Sequence, residues 1–347
     1  MDVGPGVGLR PRMHFTPRDG RVGDLFGVLR VDGRYHLFYE HQTIDEQVAS
    51  WGCAVSDDLV IWRERPVSAV PDASTDPRCG SVVHGPAGPV LFHSRPGEGV
   101  WRATSGPELD GWRAEPVGPV LGAAPAGFTG LLDPFVWAVA DGWRMLVAAS
   151  VTTGGSAVLQ YRSDDLLTWA HDGVLTTGES GGWRCPRLFD LDGAWVLFVA
   201  GVAPAYAIGS YDGRDFVPRI WGVFEHGSLG PVTPFLDAAG RRCFLARVGE
   251  SSCSVPWVLS LRDDRLIATP HPHLDRYLVN GVTGLSASDG EVRDHGDVIL
   301  RMPSGGETTV LADADLVEVT VEGVSGLGSA RRAFPGDPGA HIARLTG

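Results

Sequence analysis

Apolar positions come in short bursts along this chain. Leu25 to Val31, Tyr35 to Tyr39, Phe135 to Ala140, Met145 to Ala149, Leu188 to Leu191 and Trp195 to Ala200 are such runs, each broken by polar or turn residues. Runs of that length predict strands, and no segment carries the 3.6-residue period of an amphipathic helix. The pairs are joined by Asp32-Gly33, Asp141-Gly142 and Asp192-Gly193. Asp-Gly between apolar runs predicts a tight hairpin, because a type I′ turn needs positive φ. Gly88 and Gly240 continue the series, so Gly33, Gly88, Gly142, Gly193 and Gly240 form a ladder with steps of 55, 54, 51 and 47 residues.

A period of this size points to a repeat architecture. Five in-phase antiparallel units predict an all-β protein, a five-bladed β-propeller whose first strands line a central channel. Nine positions before three ladder glycines stand Asp24, Asp133 and Arg184. Equivalent positions in a ring face a common axis, so these three are expected together at one channel mouth. Ser56-Asp57-Asp58-Leu59 leads to Trp62, and Ser163-Asp164-Asp165-Leu166 leads to Trp169 at the same spacing. These Asp pairs read as turn-formers. The pattern changes near residue 280. The expected division is a propeller over 1–279 and a short β-appendage over 280–347, with strands at Thr308 to Leu311 and Leu316 to Val321.

Composition narrows the chemistry. A formal charge of −13 argues against a nucleic-acid backbone as partner. All 29 basic residues are Arg, so no Schiff-base or P-loop lysine exists. Five cysteines lack the spacing of a zinc site, and His271-Pro272-His273 reads as loop, so no metal or cofactor is expected. No apolar run is long enough to span a membrane. Met1 to Met13 lacks the charged start and apolar core of a signal peptide, which makes the cytoplasm the expected location.

Several segments together resemble glycoside hydrolase family 32, the β-fructosidase or invertase family. His14-Phe15-Thr16-Pro17 with Gly23-Asp24-Leu25-Phe26-Gly27 is similar to its HFxP…NDPNG opening. Tyr35 to Tyr39, Trp51 to Ser56, Gly80-Ser81, Leu132-Asp133-Pro134 and Arg184-Cys185-Pro186 follow in family order, the last two at its RDP and ECP motifs. Tyr206 to Phe216, Ala312 to Val319 and Arg331 to Pro335 are similar to later family segments. The resemblance implies a five-bladed propeller with an abbreviated C-terminal sandwich. It also implies retaining hydrolysis, with Asp24 as nucleophile and Asp133 as transition-state stabiliser.

The family's acid/base glutamate falls at Arg184. A guanidinium cannot usefully release a proton. Leu132, Gly23 and Arg187 are further departures beside the motifs. Glu40 and His41, or Glu225 and His226, are candidate replacements for the missing acid, with Glu40 first because the resemblance places its family counterpart in the sugar site. The expected sugar-site residues are Glu40, His41, Trp51, Ser81, Leu132, Arg187 and His226, with Asp24, Asp133 and Arg184 carrying the chemistry. Three readings follow. The first is an enzyme repurposed to tailor a non-fructan small molecule by proton transfer, cyclisation or glycosyl transfer. The second is a surviving fructosidase or transfructosidase with a relocated acid. The third is a binder of sugars or anionic metabolites. Each takes a small-molecule partner and needs neither nucleic acid nor membrane.

Overall fold

The computed structural model describes residues 10–42, 49–66, 78–107, 109, 111–114, 118–201, 204–249, 251–333 and 340–345. Pro335 and the first nine residues lie outside them.

Five antiparallel sheets follow one another along the chain. Blade I runs Arg21–Val31, Arg34–Gln42, Ala49–Ser56 and Arg63–Glu64. Blade II runs Arg78–Gly85, Gly88–Arg95, Gly99–Ser105 and Trp112–Ala114. Blade III runs Phe128–Val139, Gly142–Val151, Ser156–Ser163 and Ala170–Gly178. Blade IV runs Trp183–Leu191, Ala194–Gly201, Ala205–Tyr211 and Phe216–Gly222. Blade V runs Leu229–Leu236, Arg242–Val248, Trp257–Arg262 and Arg265–Pro270, with Ser252–Cys253 added beside its second strand.

The glycine ladder is the first hairpin turn of every blade, and all five glycines have positive φ. Asp32 and Asp192 also have positive φ, so their pairs form the I′-type turns that the sequence predicts. The repeated Ser-Asp-Asp-Leu segments are matching turns. Asp58 Oδ1 accepts from the amides of Val60 and Ile61, and Asp165 Oδ1 accepts from those of Leu167 and Thr168.

Blades pack face to face, so their middle strands are apolar on both sides. One cluster fills each interface. Phe26, Trp51 and Leu91 lie between blades I and II. Phe92 and Val147 lie between II and III. Leu146 and Leu197 lie between III and IV. Phe198, Phe244 and Trp257 lie between IV and V. Leu37 and Leu245 close V onto I. The N-terminal segment helps the closure: the Cys253 amide donates to Phe15 O at 2.8 Å.

Beyond blade V, His271 caps a 3₁₀ turn, Pro272–Tyr277, where the sequence suggests only loop. A six-stranded sheet then packs on a three-stranded one, Leu285–Ser288, Glu291–Asp294 and Asp297–Arg301, around Val292, Val310 and Val317. The larger sheet takes in Glu225–Gly227 and Leu278–Val279, so it reaches back across the expected 279/280 boundary. Buried Arg332 joins the two sheets by donating to Asp294 Oδ1 at 2.9 and 3.1 Å.

A buried cluster seats this appendage on the propeller. His14 Nδ1 meets Asp313 Oδ2 and Nε2 meets Glu318 Oε2, each at 3.0 Å. Asp313 also accepts the amides of Arg12, Met13 and His14. Glu318 accepts the Val255 amide and Trp257 Nε1. Burial alone would lower the His14 pKa, but the two carboxylates override it and hold the imidazolium up to about 9.

Candidate active site

The innermost strand of every blade breaks register near the same end. In blade I, Val22 pairs with His41 and Leu25 with Tyr39, so Gly23 and Asp24 together face Glu40. Blade III bulges between Leu132 and Phe135, at Asp133-Pro134. Blade IV bulges at Cys185-Pro186, directly after Arg184. Blade II bulges at Cys79, and blade V at Gly230-Pro231. A bulge re-aims a side chain out of the strand's alternation. Five bulges at one end form a ring around the channel, and the nine-back position falls on or beside each of them.

The count from Gly88 lands on Cys79, a residue the sequence reading passed over. The same signal that found Asp24 could have found it. Asp133 and Cys185 hold positive φ although neither is glycine. Such backbone is uncommon and costs energy that the surroundings must offset.

The side chains meet across the ring. Arg184 grips Asp133 in a fork: Nη2 reaches Oδ1 at 2.9 Å and Nε bonds Oδ2. The Cys185 amide donates to Asp133 Oδ2 at 2.9 Å, and Ser94 Oγ accepts the Asp133 amide. Asp133 is fully buried, whereas Arg184 stays partly open. The fork raises the Arg184 pKa further. Asp24 differs. Its amide donates to Glu40 Oε2 at 3.2 Å, but no described residue bonds its carboxylate. Burial, then the charge of Asp133, pushes its pKa up against the pull of Arg184, Arg247 and Arg187.

Below them, Cys79 Sγ and Cys185 Sγ lie 2.6 Å apart. Both come within 4.8 Å of an Asp24 carboxylate oxygen, the reach a bound metal would need. Arg187 Nη2 donates to Cys79 Sγ at 3.2 Å, and a cation there repels another cation. The second group with such reach is Asp237, Cys243 and His271, where Asp237 is already committed to Arg241 and His271.

The remaining expected residues separate. Glu40 is at the site, and its carboxylate occupies the space that a side chain at residue 23 would need. Both its oxygens accept, one from the Asp24 amide and the other from Gln42 Nε2. Leu132 is half-buried on the inner strand beside Asp133. His41 is not free for sugar, because Nε2 meets Asp19 O at 2.7 Å and Nδ1 meets Ser50 Oγ.

Ser81 Oγ accepts the Val136 amide at 3.0 Å and staples blade II to blade III. Trp51 lies in the inter-blade core against His93 and Trp112. Arg187 is 1% exposed. It donates to Pro186 O and Gly80 O and stacks over Phe135, so no anion reaches it. His226 sits at the junction with the appendage, its Nε2 buried against Gly326. Strand position is visible in sequence, but the face a side chain takes and the contacts it meets are not.

A five-bladed propeller with an acid pair at its channel mouth is the class of protein that the fold and site define. A sequence model of the glycosyl hydrolases family 32 N-terminal domain matches residues 14–259, and the chain belongs to that family. Sucrose-6-phosphate hydrolase of Escherichia coli is 32% identical over 234 residues, which is 61% of this chain and 48% of that one. Its Salmonella typhimurium namesake is 27% identical over 387 aligned positions, covering 94% and 80%. The chain thus spans about half the length of the Escherichia coli relative. A Bombyx mori β-fructofuranosidase mutant, solved in complex with sucrose, matches with a TM-score of 0.81 at 19% identity over 97% of this chain and 91% of that one. At that identity the likeness establishes the fold.

Proposed function

We propose that the channel mouth is a β-fructosyl site of the retaining type, with Asp24 as nucleophile. The observation that carries this reading is the Gly23-Asp24 bulge, which offers a carboxylate that no described residue bonds, across the ring from Asp133. In the reaction the Asp24 oxygen attacks the anomeric carbon while the glycosidic bond breaks. The departing oxygen takes a proton, and water then releases the sugar from Asp24.

Position 184 cannot give that proton. The fork also offsets the negative charge on Asp133 that would steady an oxocarbenium-like transition state. Loss of a general acid costs roughly 10²–10⁴ in rate. Sucrose and its 6-phosphate, named for the relatives, have poor leaving groups and bear most of this cost. An aryl fructoside leaves as a phenolate and escapes most of it.

Glu225 is our candidate for a partial replacement. It begins the Glu225–Gly227 strand, which joins the appendage sheet just before the inner strand of blade V. Burial pushes its carboxyl up to about 8 despite Arg247, and Arg247 also acts on Asp24. The acid is therefore protonated at neutral pH, as a donor must be.

The test is a comparison of substrates. Hydrolysis of 4-nitrophenyl β-fructofuranoside is expected to exceed that of sucrose by at least 10²-fold in kcat/KM. Glu225→Gln is expected to abolish the sucrose activity and spare the aryl activity. No release from the aryl fructoside at any pH from 5 to 9 would sink the enzymatic reading. A second reading, a fructosyl-binding protein without turnover, is favoured by the fork on Asp133, and calorimetry with fructose and sucrose would then show binding alone. Nothing here favours the reading of an enzyme repurposed for a non-fructan small molecule, and the anionic-metabolite reading loses its cations, because Arg187 is enclosed and Arg184 is committed to Asp133.

A further inference from the structure

We infer that Cys79 and Cys185 are a redox pair, convertible to a disulfide that ties blade II to blade IV beneath the active site. The two thiols come from bulges on non-adjacent blades, 106 residues apart in sequence, yet their sulfurs sit 2.6 Å from each other. Both are fully enclosed by protein, with Ala200 as their apolar neighbour. Their sulfurs are already within roughly half an ångström of bonding distance.

The surroundings supply the chemistry. Arg187 Nη2 donates to Cys79 Sγ, and the same donor would stabilise a thiolate formed there. Asp24, within 4.8 Å of both sulfurs, is only partly buried, so the pair lies one side chain below the mouth. With hydrogen peroxide, the Cys79 thiolate attacks one peroxide oxygen and becomes a sulfenic acid, while the other oxygen leaves as water after protonation. The Cys185 sulfur then attacks that sulfenic sulfur and a second water leaves. Two thiols and one peroxide give one disulfide and two waters. Cys53, Cys243 and Cys253 make no sulfur contact of this kind among the described residues.

The experiment uses the intact protein. Reduced protein is split, and one half is treated with a small excess of hydrogen peroxide. Both halves are unfolded in guanidinium, alkylated with iodoacetamide and weighed. Five added groups are expected on the reduced half and three on the oxidised half, with a Cys79–Cys185 cross-linked peptide that dithiothreitol removes. The oxidised protein is expected to melt about 5 °C higher, as closing a loop of this size implies. In Cys79→Ser, peroxide is expected to leave the number of alkylated thiols at four. Five alkylated thiols after peroxide, a cross-link between other cysteines, or sulfinic acid in place of a cross-link would each overturn the proposal. If Cys79→Ser does not fold, the wild-type peptide map decides the matter alone.

Discussion

Two buried charge clusters in this protein use the same ingredients to opposite ends. At the seat of the appendage, one imidazolium lies between two carboxylates, and three backbone amides complete Asp313. At the channel mouth, one guanidinium completes Asp133, and among the described residues the Asp24 carboxylate has no bonded partner. A fully satisfied buried network rigidifies. A cluster with one carboxylate held back keeps something for a ligand. Both contain residues of family motifs, so motif membership alone does not separate a clamp from a site; hydrogen-bond accounting does.

Substitutions can break that contrast. Asp24→Asn is expected to lower aryl-fructoside kcat by on the order of 10³-fold or more, with the melting temperature unchanged within about 2 °C. A matching fall in stability would make Asp24 part of a clamp after all. Asp313→Asn is expected to do the reverse. It leaves buried His14 and three amides facing a weaker acceptor, and should cost roughly 3–5 kcal/mol by denaturant titration. Turnover per folded molecule should hold.

Arg184→Glu sharpens the comparison from the other side. It frees Asp133 and puts a carboxyl beside two others, where mutual repulsion raises its pKa toward a donor's range. Sucrose hydrolysis is expected to rise by roughly 10²-fold. A flat response would mean that the missing acid is not what limits the site.

The clamp also makes a pH prediction. The folded pKa of His14, about 9, lies above its unfolded value near 6.5. Its contribution is therefore fully present below about pH 6.5 and is lost as pH rises toward 9. Asp313 is held below its usual range: burial pushes it up, but His14 and the amides override that. Its contribution is present above about pH 4 and fades in acid. Denaturant unfolding should show a loss of a few kcal/mol between pH 6 and 9.5, and His14→Gln should flatten that slope. The smallest effect is expected from Ser81→Ala, about 1 kcal/mol, for a staple between blades II and III.

The blade plan was legible because hairpin turns impose local rules. Five glycines at positive φ announce themselves at nearly even spacing. Asp24, Asp133 and Arg184 were legible because the ladder fixes their phase. Cys79 had the same phase and was missed, since a thiol was not weighed as channel chemistry. The clamp was not legible: His14 stands about 300 residues from its partners, and nothing in the local pattern reports that pairing. His41, Ser81 and Arg187 lie on the expected strands, but their donors are taken by contacts that only the folded chain creates.

The ring of bulges has a consequence for how this scaffold can change. A side chain at or beside a bulge is aimed out of the strand's alternation, so its identity is set apart from the hairpin turns that fix the frame. Residues 24, 79, 133, 184 and 231 are then five sockets in one frame, filled here by two acids, a thiol, a guanidinium and a proline. An acid can be exchanged for a base at one socket while every hairpin turn stays in place. Reactivity in this architecture can drift, be lost or be rebuilt by a library confined to those five positions.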